Sequence, residues 1–386
     1  MRALVVNGEW SPRDSYQLTP EEAAGHWARD ARQVWRHPRW CLGEVPDPVL
    51  QSDEDVIIRV RAAGIAVSTL RMAMTDELGY VVLPYRMGMP LVPGHEFAGE
   101  VVAVGRSVRS VKVGDAVAAE TLRACGRCSA CRRGRPNACL DGEFVGFNSN
   151  GGLADYAVVP EMHARSLEPL RGRLDEQSIY EMGALCEPAA VAYLALFKAD
   201  RHLAPGADVA IFGCGPLGLA AVALARGAGA NLVVATEPAA DRGAIASRVG
   251  ADRVLRGELG RELADELRDA TGGRGFDVVV DATGAAAEVL PEAERIVAVG
   301  GHVVHLGVGG PAAPIHPIVT MVNGTTHSFS MGHLGGFDPV IALQAAGRID
   351  LTPIVTARYP ITSGLEALAH AATRHSAKTL VTAGAD

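Results

Sequence analysis

The 386-residue sequence predicts an α/β protein with two domains, one built on a doubly wound parallel sheet and one on an antiparallel β domain that carries a small zinc lobe. Three observations predict this. Strand and helix patterns alternate from about residue 189, short β-like runs fill residues 56–156, and four cysteines crowd into one loop of that β-rich region. We expect residues 1–188 to form the β-rich domain, residues 189–334 to form the parallel-sheet domain, and residues 335–386 to return to the first.

The first domain begins with a segment of unusual composition and continues into β structure. All four tryptophans lie within the first forty residues, where Thr19-Pro20-Glu21-Glu22 is typical of a capped helix start. We interpret residues 19–34 either as an added helix whose tryptophans pack on the domain or as a cover for a substrate pocket. Residues 56–60, 99–104 and 115–118 are short β-like runs separated by Gly and Pro, and they predict a small antiparallel sheet.

The most specific motif of this domain is a group of four cysteines at the spacing C-x2-C-x2-C-x7-C, namely Cys125, Cys128, Cys131 and Cys139. The residues between them are small or polar, so the loop cannot build a hydrophobic core. Four thiolates around one tetrahedral zinc ion, with no open position, would hold it. The alternatives are four free thiols or two disulfides. Disulfides fit poorly because the chain opens on Met1-Arg2-Ala3-Leu4 without a secretory signal, which indicates a reducing cytoplasmic location.

In the second domain, buried strands alternate with helices. An Ala/Leu-rich helix is predicted at residues 217–228, between the first two strands, and a last strand at residues 379–381 ends the chain. Continuous apolar strands that alternate with helices indicate a parallel sheet covered on both faces. The apolar strands of this domain fall at residues 209–212, 232–235, 276–280 and 302–306.

A glycine-rich turn follows the first of these strands and opens the helix. Its sequence, Gly213-Cys214-Gly215-Pro216-Leu217-Gly218, is G-x-G-x-x-G in the strand-to-helix context that a dinucleotide-binding turn requires. The first glycine makes the tight turn, the second lets the backbone approach a pyrophosphate, and the third packs helix against strand. The alternative is a glycine-rich turn in a βαβ unit that binds nothing.

Further residues at the same edge of the sheet favour NAD over NADP. Glu237 ends the next strand, where a carboxylate accepts hydrogen bonds from the adenosine ribose and repels a 2′-phosphate; Arg242 lies nearby.

Residues 281–284 and 305–307 end core strands where such sheets bind ligands, so they are expected to line the cofactor groove. The residues predicted to bind the cofactor are Gly213, Gly215, Pro216, Leu217, Gly218, Glu237, Arg242, Thr283 and Leu306.

Charge and hydropathy exclude two classes of partner. The net charge of −8 argues against nucleic acid and against an anionic membrane surface. No apolar run approaches the roughly 20 residues that a membrane-spanning helix needs. We therefore expect a soluble, globular, cytosolic protein.

Several motifs in fixed order resemble those of the zinc-containing medium-chain alcohol dehydrogenases. They are Gly94-His95-Glu96-Phe97-Ala98-Gly99, Val104-Gly105, Gly114-Asp115 and the cysteine loop, all ahead of the glycine-rich turn. The resemblance covers essentially the whole chain, and it implies a GroES-like catalytic domain with a zinc lobe and a Rossmann NAD-binding domain. Within the family, the sequence is most similar to the polyol and cyclitol branch that includes the scyllo-inosose dehydrogenases. The cues for that branch are Glu187-Pro188, the tryptophan-bearing N-terminus, residues 75–80 and Gly332-His333.

The resemblance also implies a catalytic site. His95, Glu96 and Glu187 would bind a catalytic metal, with Glu187 as ligand or water-mediated partner, and Ser68 would relay a proton. The family's ligand cysteine is replaced by Ala66, which removes one thiolate from the set. Either the remaining imidazole and carboxylates still hold a metal, zinc or a harder cation, or the site works without one. In the second case His95, Glu96, Glu187 or Ser68 would act as general acid or base.

Three functions follow from the resemblance. The first is an NAD-dependent dehydrogenase that oxidises a secondary alcohol of a cyclitol or sugar-like polyol, or reduces the matching ketone. The second is a non-redox enzyme, an epimerase or lyase, that holds NAD tightly and uses it only transiently. The third is a retired dehydrogenase that serves as a binding protein. Relatives assemble as dimers or tetramers through the edges of their cofactor domains, so we expect a homodimer or homotetramer with residues 325–331 at that edge.

Overall fold

The structure is a computed structural model that describes residues 1–139, 141–198, 203–307 and 309–383. The chain divides into two compact units. The first unit comprises Met1–Glu187, Ala357–Arg374 and Lys378–Asp386, and the second comprises Pro188–Thr356 and His375–Ala377. The predicted α/β class, with one antiparallel and one parallel sheet, is confirmed.

Among the described residues, strands predominate in the first half of the chain, and strands alternate with helices from β12 onward. The strands are β1 (Arg2–Trp10), β2 (Trp27–Ala28), β3 (Trp35–Glu44), β4 (Asp55–Gly64), β5 (Met87–Gly88), β6 (Glu96–Val104), β7 (Ala116–Ala119), β8 (Leu122–Arg123), β9 (Glu143–Phe144), β10 (Tyr156–Pro160), β11 (Ala164–Ser166), β12 (Asp208–Phe212), β13 (Leu232–Thr236), β14 (Arg253–Leu255), β15 (Phe276–Asp281), β16 (Val297–His305), β17 (Thr326–Phe329), β18 (Val355–Pro360) and β19 (Lys378–Thr382). The α-helices are α1 (Pro20–Gly25), α2 (Val67–Arg71), α3 (Ser129–Arg132), α4 (Glu176–Ala184), α5 (Cys186–Tyr193), α6 (Pro216–Gly227), α7 (Ala240–Val249), α8 (Arg261–Ala270), α9 (Ala286–Ile296), α10 (Pro317–Asn323), α11 (Phe337–Ala345) and α12 (Gly364–Ala372).

The first unit is built around a seven-stranded sheet in the order β11-β7-β6-β4-β19-β18, with β10 also paired to β4. Its long central strands, β4 and β6, run antiparallel and shift register twice, between Ile57 and Ile58 and between Val60 and Ala62. The core of this unit is apolar and includes Ile58, Phe97, Val101, Val117 and Leu153. Because β6 begins at Glu96, the sheet fixes the backbone of the residues expected to carry the chemistry.

The second unit is a six-stranded parallel sheet in the order β14-β13-β12-β15-β16-β17. Numbered from β12, this is the order 3-2-1-4-5-6 of a Rossmann fold. The strand order reverses between β12 and β15, and ligands of such sheets bind at that switch point, outside the carboxyl ends of the strands. The core on one face includes Phe212, Val234, Phe276, Val279 and Val303.

The predicted helix over residues 19–34 is wrong beyond its first turn and a half. Thr19 and Glu22 form the predicted capping box, but α1 ends at His26, whose φ of 47° is left-handed. Glu22 then accepts a hydrogen bond from the Arg29 amide, and Trp27–Ala28 pairs with Met87–Gly88 as a short antiparallel ribbon. Pairing with a distant strand therefore overrides the local helical pattern.

The return to the first unit also differs from the prediction. We expected it at residue 335, but the second unit continues to Thr356. Helix α11 and the residues after it pack against that unit: a side chain at Gly336 would meet Ala190, and one at Gly227 would meet Ile349. The first unit ends its long segment at Glu187, one residue before the predicted boundary.

No single described helix is long and apolar enough to cross a membrane. One bent pair, Glu176–Ala184 with Cys186–Lys198, reaches the length and composition only when both helices are counted together.

Candidate functional site

The four cysteines of the zinc lobe converge as their spacing predicts. Their sulfur atoms all lie within 4.8 Å of one another, and the Sγ atoms of Cys128 and Cys139 are 3.9 Å apart. In a tetrahedron of thiolates around zinc, neighbouring sulfurs lie about 3.8 Å apart because each Zn–S bond is about 2.3 Å. Backbone amides point at the sulfurs: Cys128 N donates to Cys125 Sγ at 3.3 Å, and Cys125 N donates to Cys139 Sγ at 3.2 Å.

The electrostatics of this lobe indicate that it needs a cation. Burial, followed by hydrogen bonds with the neighbouring thiols, raises the pKa of Cys131 to about 12. Burial also raises the pKa of Cys139, whereas the amide of Arg127 lowers the pKa of Cys125. Four thiolates at this spacing repel one another, so a divalent cation is required to hold all of them deprotonated. The geometry and the donor chemistry both fit zinc.

The glycine-rich turn of the second unit has the backbone that the motif predicts. Gly213 has a φ of 88°, and a side chain there would lie 2.9 Å from Thr283 Cγ2. A side chain at Gly218 would lie 1.8 Å from the carbonyl oxygen of Gly213. In contrast, a Cβ at Gly215 would meet no described atom within 4 Å, so the space in front of it is open. Pro216 and Leu217 open α6 directly behind the turn, and its N-terminus suits a pyrophosphate.

Glu237 is a buried anchor as well as a candidate ribose ligand. Its Oε2 accepts the Cys214 amide at 2.8 Å, and its Oε1 accepts the Ala239 amide at 3.1 Å and an Arg242 N–H at 2.6 Å. The side chain is about 2% exposed. The carboxylate thus ties the glycine-rich turn to the start of the next helix, and it places negative charge at the end of β13.

Thr283 and Leu306 also lie at the carboxyl end of the sheet. Thr283 donates from its backbone N and its Oγ1 to Asp281 Oδ1, at 2.9 and 2.6 Å, and Leu306 N donates to the Asp281 carbonyl at 2.8 Å. Burial raises the pKa of Asp281, but the adjacent His305 ring and the hydrogen bonds from Thr283 outweigh it, and the net shift is downward. Asp281 therefore holds the ends of β15 and β16 together beside the switch point.

The predicted catalytic residues meet within the first unit. His95 precedes β6, Glu96 begins it, and Glu187 lies in the first turn of α5. All three are buried, and one ligand atom from each lies within 4.8 Å of the others. Ser68, on the short helix α2, places its Oγ 3.4 Å from His95 Nε2. The structure thus brings together all four side chains that the sequence assigned to this site.

A fifth side chain, Lys378, joins the site and was missed by the sequence analysis. Its Nζ lies 2.8 Å from Glu96 Oε1 and 2.6 Å from Oε2, and both side chains are at least 96% buried. Burial raises the pKa of Glu96, the Lys378 ammonium opposes that shift, and the charge of Glu187 adds to it. The pair is a buried salt bridge at the edge of the candidate metal site.

Ala66 leaves the expected thiolate position without a donor. It is buried and precedes α2 as its N-cap residue, with no side-chain hydrogen bond to the helix. Cys186 does not replace the thiolate: its Sγ lies 3.3 Å from the Met182 carbonyl oxygen, and it is outside the donor group found among the described residues. Its hydrogen bond therefore joins the start of α5 to α4.

The remaining donors still fit a divalent cation. One imidazole and two carboxylates form a set of the type found in catalytic zinc sites, which keep an open position for substrate. Glu96 would share its negative charge between Lys378 and the cation. His95 and Glu187 are therefore the stronger candidate ligands, and Glu96 is the weaker one.

Aromatic rings form one wall beside His95. Phe144 and Phe147 stack with a centroid distance of 4.5 Å, and the His95 ring lies 5.5 Å from the first and 4.7 Å from the second. The sequence analysis missed this wall because these phenylalanines follow the cysteine loop and belong to no motif. For Lys378, the available signal was a lysine at the start of a short β-like run that has no other charged residue.

Comparisons with known proteins match both units. Residues 52–169 match the model of the alcohol dehydrogenase GroES-like domain, and residues 216–345 match that of the zinc-binding dehydrogenase. Scyllo-inosose 3-dehydrogenase of Thermotoga maritima is 34% identical over 368 residues, which covers 92% of this chain and 93% of that protein.

Comparison with solved structures also matches the chain to dehydrogenases. An alcohol dehydrogenase candidate from Thermotoga maritima matches with a TM-score of 0.93 and 32% identity, over 99% of each chain. A zinc-binding dehydrogenase candidate from Sinorhizobium meliloti 1021, solved with bound NADP, matches with a TM-score of 0.78 and 26% identity, over 92% of this chain and 97% of that one. This chain therefore belongs to the zinc-binding alcohol dehydrogenase family and is an oxidoreductase with a GroES-like and a Rossmann domain.

Proposed function

We propose that this protein is an NAD-linked dehydrogenase that interconverts a secondary hydroxyl of a cyclitol, or of a similar ring polyol, and the matching ketone. The observation that carries the proposal is the buried cluster of His95, Glu96 and Glu187 with Ser68 against His95. The similarity to scyllo-inosose 3-dehydrogenase supports the choice of a cyclitol. The partly exposed Phe144 ring, 5.5 Å from the His95 ring, supports it too, because an aromatic side chain offers an apolar surface to the C–H face of a polyol ring.

In this proposal the chain's own side chains orient the substrate and move its proton. A divalent cation held by His95 and Glu187, with Glu96 as a further ligand, would act as a Lewis acid and lower the pKa of the substrate hydroxyl. Ser68 Oγ, next to His95 Nε2, accepts the proton of that hydroxyl and passes its own toward solvent, since Ser68 is only partly buried. Lys378 favours the ionised form of Glu96 and holds its carboxylate in place.

We also propose that Cys125, Cys128, Cys131 and Cys139 bind one structural zinc ion. The closed set of four donors leaves no open position, so the ion holds the lobe and takes no part in the chemistry. The four thiolates persist only where thiols stay reduced, which supports a cytoplasmic location.

The preferred cofactor is NAD. The buried Glu237 next to the end of β13 supports this choice, because a carboxylate at that point of a Rossmann fold accepts hydrogen bonds from the ribose and repels a 2′-phosphate. Glu237→Ala should weaken NAD binding roughly tenfold or more and lose most of the discrimination against NADP, because it removes both the ribose acceptor and the anchor of the turn. Fluorescence titration with the two cofactors measures this. Glu258→Ala, at an exposed acidic position of the same unit, is the control. An unchanged preference for NAD in Glu237→Ala would rule out the assigned role.

A second candidate function is favoured by Ala66. Without the thiolate, the site has a weaker metal ligand set, and a tightly held NAD could oxidise and then re-reduce one substrate in an epimerase or lyase reaction. The two candidates differ in what accumulates. A panel of inositol isomers incubated with excess NAD should yield NADH and ketone in equal amounts. Conversion of one isomer to another without NADH would support the second candidate instead.

We propose that the protein forms homodimers through the edge of the parallel sheet. Strand β17 has one described neighbour, β16, and Phe329 and Met331 at this edge are exposed, as are Ile318, Met321 and Val322 of α10. Unpaired strand edges with apolar side chains pair readily with a second copy. Phe329→Asp should therefore raise the dimer dissociation constant by at least tenfold in analytical ultracentrifugation, and an unchanged mass would exclude this edge.

A further inference from the structure

The N-terminal strap, defined here as residues 11–37, is hydrogen-bonded along the length of the loop formed by residues 74–91. The contacts follow the order of the loop. They are the Arg13–Asp76 ion pair, His37 N to Gly79 O at 2.9 Å, Val81 N to Trp35 O at 3.0 Å, Ala31 N to Tyr85 O at 3.0 Å, Trp35 Nε1 to Met87 O at 3.1 Å, and the pairing of Trp27–Ala28 with Met87–Gly88.

The strap and the loop also share one hydrophobic cluster. Val34 and Trp35 of the strap, and Val81, Leu83 and Met87 of the loop, are at least 97% buried in it. Backbone pairing together with this burial means that the loop cannot move without breaking the cluster. The long tryptophan-bearing N-terminus therefore fixes the position of the 74–91 loop.

Tyr85 of this loop packs on Phe147, an aromatic residue that contacts His95. Its ring lies edge-on to Phe147, with centroids 5.9 Å apart and planes at 83°, and Phe147 in turn lies 4.7 Å from the His95 ring. Burial raises the pKa of Tyr85, and the positive charge of Arg71, three residues after Ser68 on α2, opposes that shift. Tyr85 therefore remains neutral at ordinary pH and keeps a proton that it can donate in a hydrogen bond. Its side chain is half-buried, so part of it stays accessible.

We propose that Tyr85, which is held in place by its edge-on contact with Phe147, is a specificity-determining residue that hydrogen-bonds a non-reacting hydroxyl of the ring polyol. This inference rests on the proposed function and adds the group that tells a polyol from a simple ring alcohol. A site built to bond a substrate hydroxyl rejects the analogue that lacks it, because the buried donor is then left unpaired. Because the loop is held by the strap, Tyr85 is positioned before substrate binds.

The test compares Tyr85→Phe with wild type on two substrates, an inositol isomer that wild type oxidises and cyclohexanol, which has the ring and the reacting hydroxyl only. Tyr85→Phe should lower kcat/KM for the inositol roughly tenfold, mostly through KM, and leave cyclohexanol unchanged. Tyr80→Phe is the matched control, because Tyr80 lies on the same loop but packs against the Arg13 guanidinium, 3.7 Å from its ring. It should change neither substrate.

The outcomes separate the inference from the proposed function. If wild type oxidises the inositol and Tyr85→Phe matches it on both substrates, or loses both equally, Tyr85 does not set specificity. If wild type oxidises no inositol isomer, the proposed cyclitol function fails, and the inference falls with it. Calorimetric titration of the inositol into NADH-saturated protein, where no hydride can leave the substrate, gives an independent reading, in which Tyr85→Phe should raise Kd by the same factor.

Discussion

Lys378→Met should lower the free energy of unfolding of the protein with an empty catalytic metal site by about 3–5 kcal/mol, which is the cost of removing one partner from a buried ion pair. Glu96 would be left without its counter-charge in a site that is almost completely closed to water. Because burial already raises the pKa of Glu96, loss of the ammonium would raise it further, and the free energy needed to bury the charge or to protonate it is the cost. Urea unfolding of protein dialysed until one zinc per chain remains, so that the cysteine lobe keeps its ion, measures the change.

Zinc should restore part of this loss. A divalent cation held by His95, Glu187 and Glu96 supplies the positive charge that Lys378 provided, so zinc should stabilise Lys378→Met more than it stabilises wild type. Lys112→Met, at an exposed lysine, is the control for the loss of a lysine as such. Equal stabilisation of wild type and Lys378→Met by zinc would show that Glu96 takes no part in metal binding.

A double substitution separates charge from packing. Lys378→Met combined with Glu96→Gln removes both charges, so most of the stability lost in the single variant should return. If the double variant is as unstable as Lys378→Met alone, the Lys378 side chain acts through its packing and the charge account is wrong.

Cys125→Ser should cause the second large effect, loss of the folded zinc lobe and of most soluble protein. A structural zinc ion contributes folding free energy directly, on the order of 10 kcal/mol in isolated zinc-binding peptides, and a hydroxyl is a poor replacement for a thiolate. The lobe between β8 and β9 has small and polar residues, so little else holds it. Soluble yield, melting temperature and zinc content per chain measure the effect.

The matched control is Cys41→Ser, because Cys41 is exposed and lies outside the group of four donors. It should leave yield, melting temperature and zinc content unchanged. A soluble Cys125→Ser protein with normal melting temperature and reduced turnover would contradict a purely structural role for the lobe.

What could be predicted from the sequence depended on how local each signal is. The cysteine loop spans fifteen residues and the glycine-rich turn spans six, so residue spacing alone constrains their geometry. Glu96 and Lys378 are 282 residues apart, and they meet because β19 returns to pair with β4 beside β6. No local pattern connects them.

The same reason explains the two corrections. The pattern at residues 19–34 is locally helical, but β2 pairs with β5, some sixty residues away, and ends the helix early. We predicted that residues 335–356 belong to the first unit because a helical pattern follows the last parallel strand. Helix α11 instead packs on the second unit. Tyr85 and Phe147 lie in segments without a sequence motif. Only the fold brings Phe147 next to His95, and Tyr85 next to Phe147.

The central claim, net hydride transfer from a cyclitol to NAD, is tested most directly with an inositol isomer deuterated at the reacting carbon. The enzyme is incubated with excess NAD, and the deuterium in cofactor and sugar is measured by mass spectrometry. The account predicts one deuterium in each NADH formed, ketone in an equal amount, and slower turnover than with the unlabelled substrate. Deuterium that stays in an isomerised or dehydrated cyclitol, with no accumulation of labelled NADH, would contradict it.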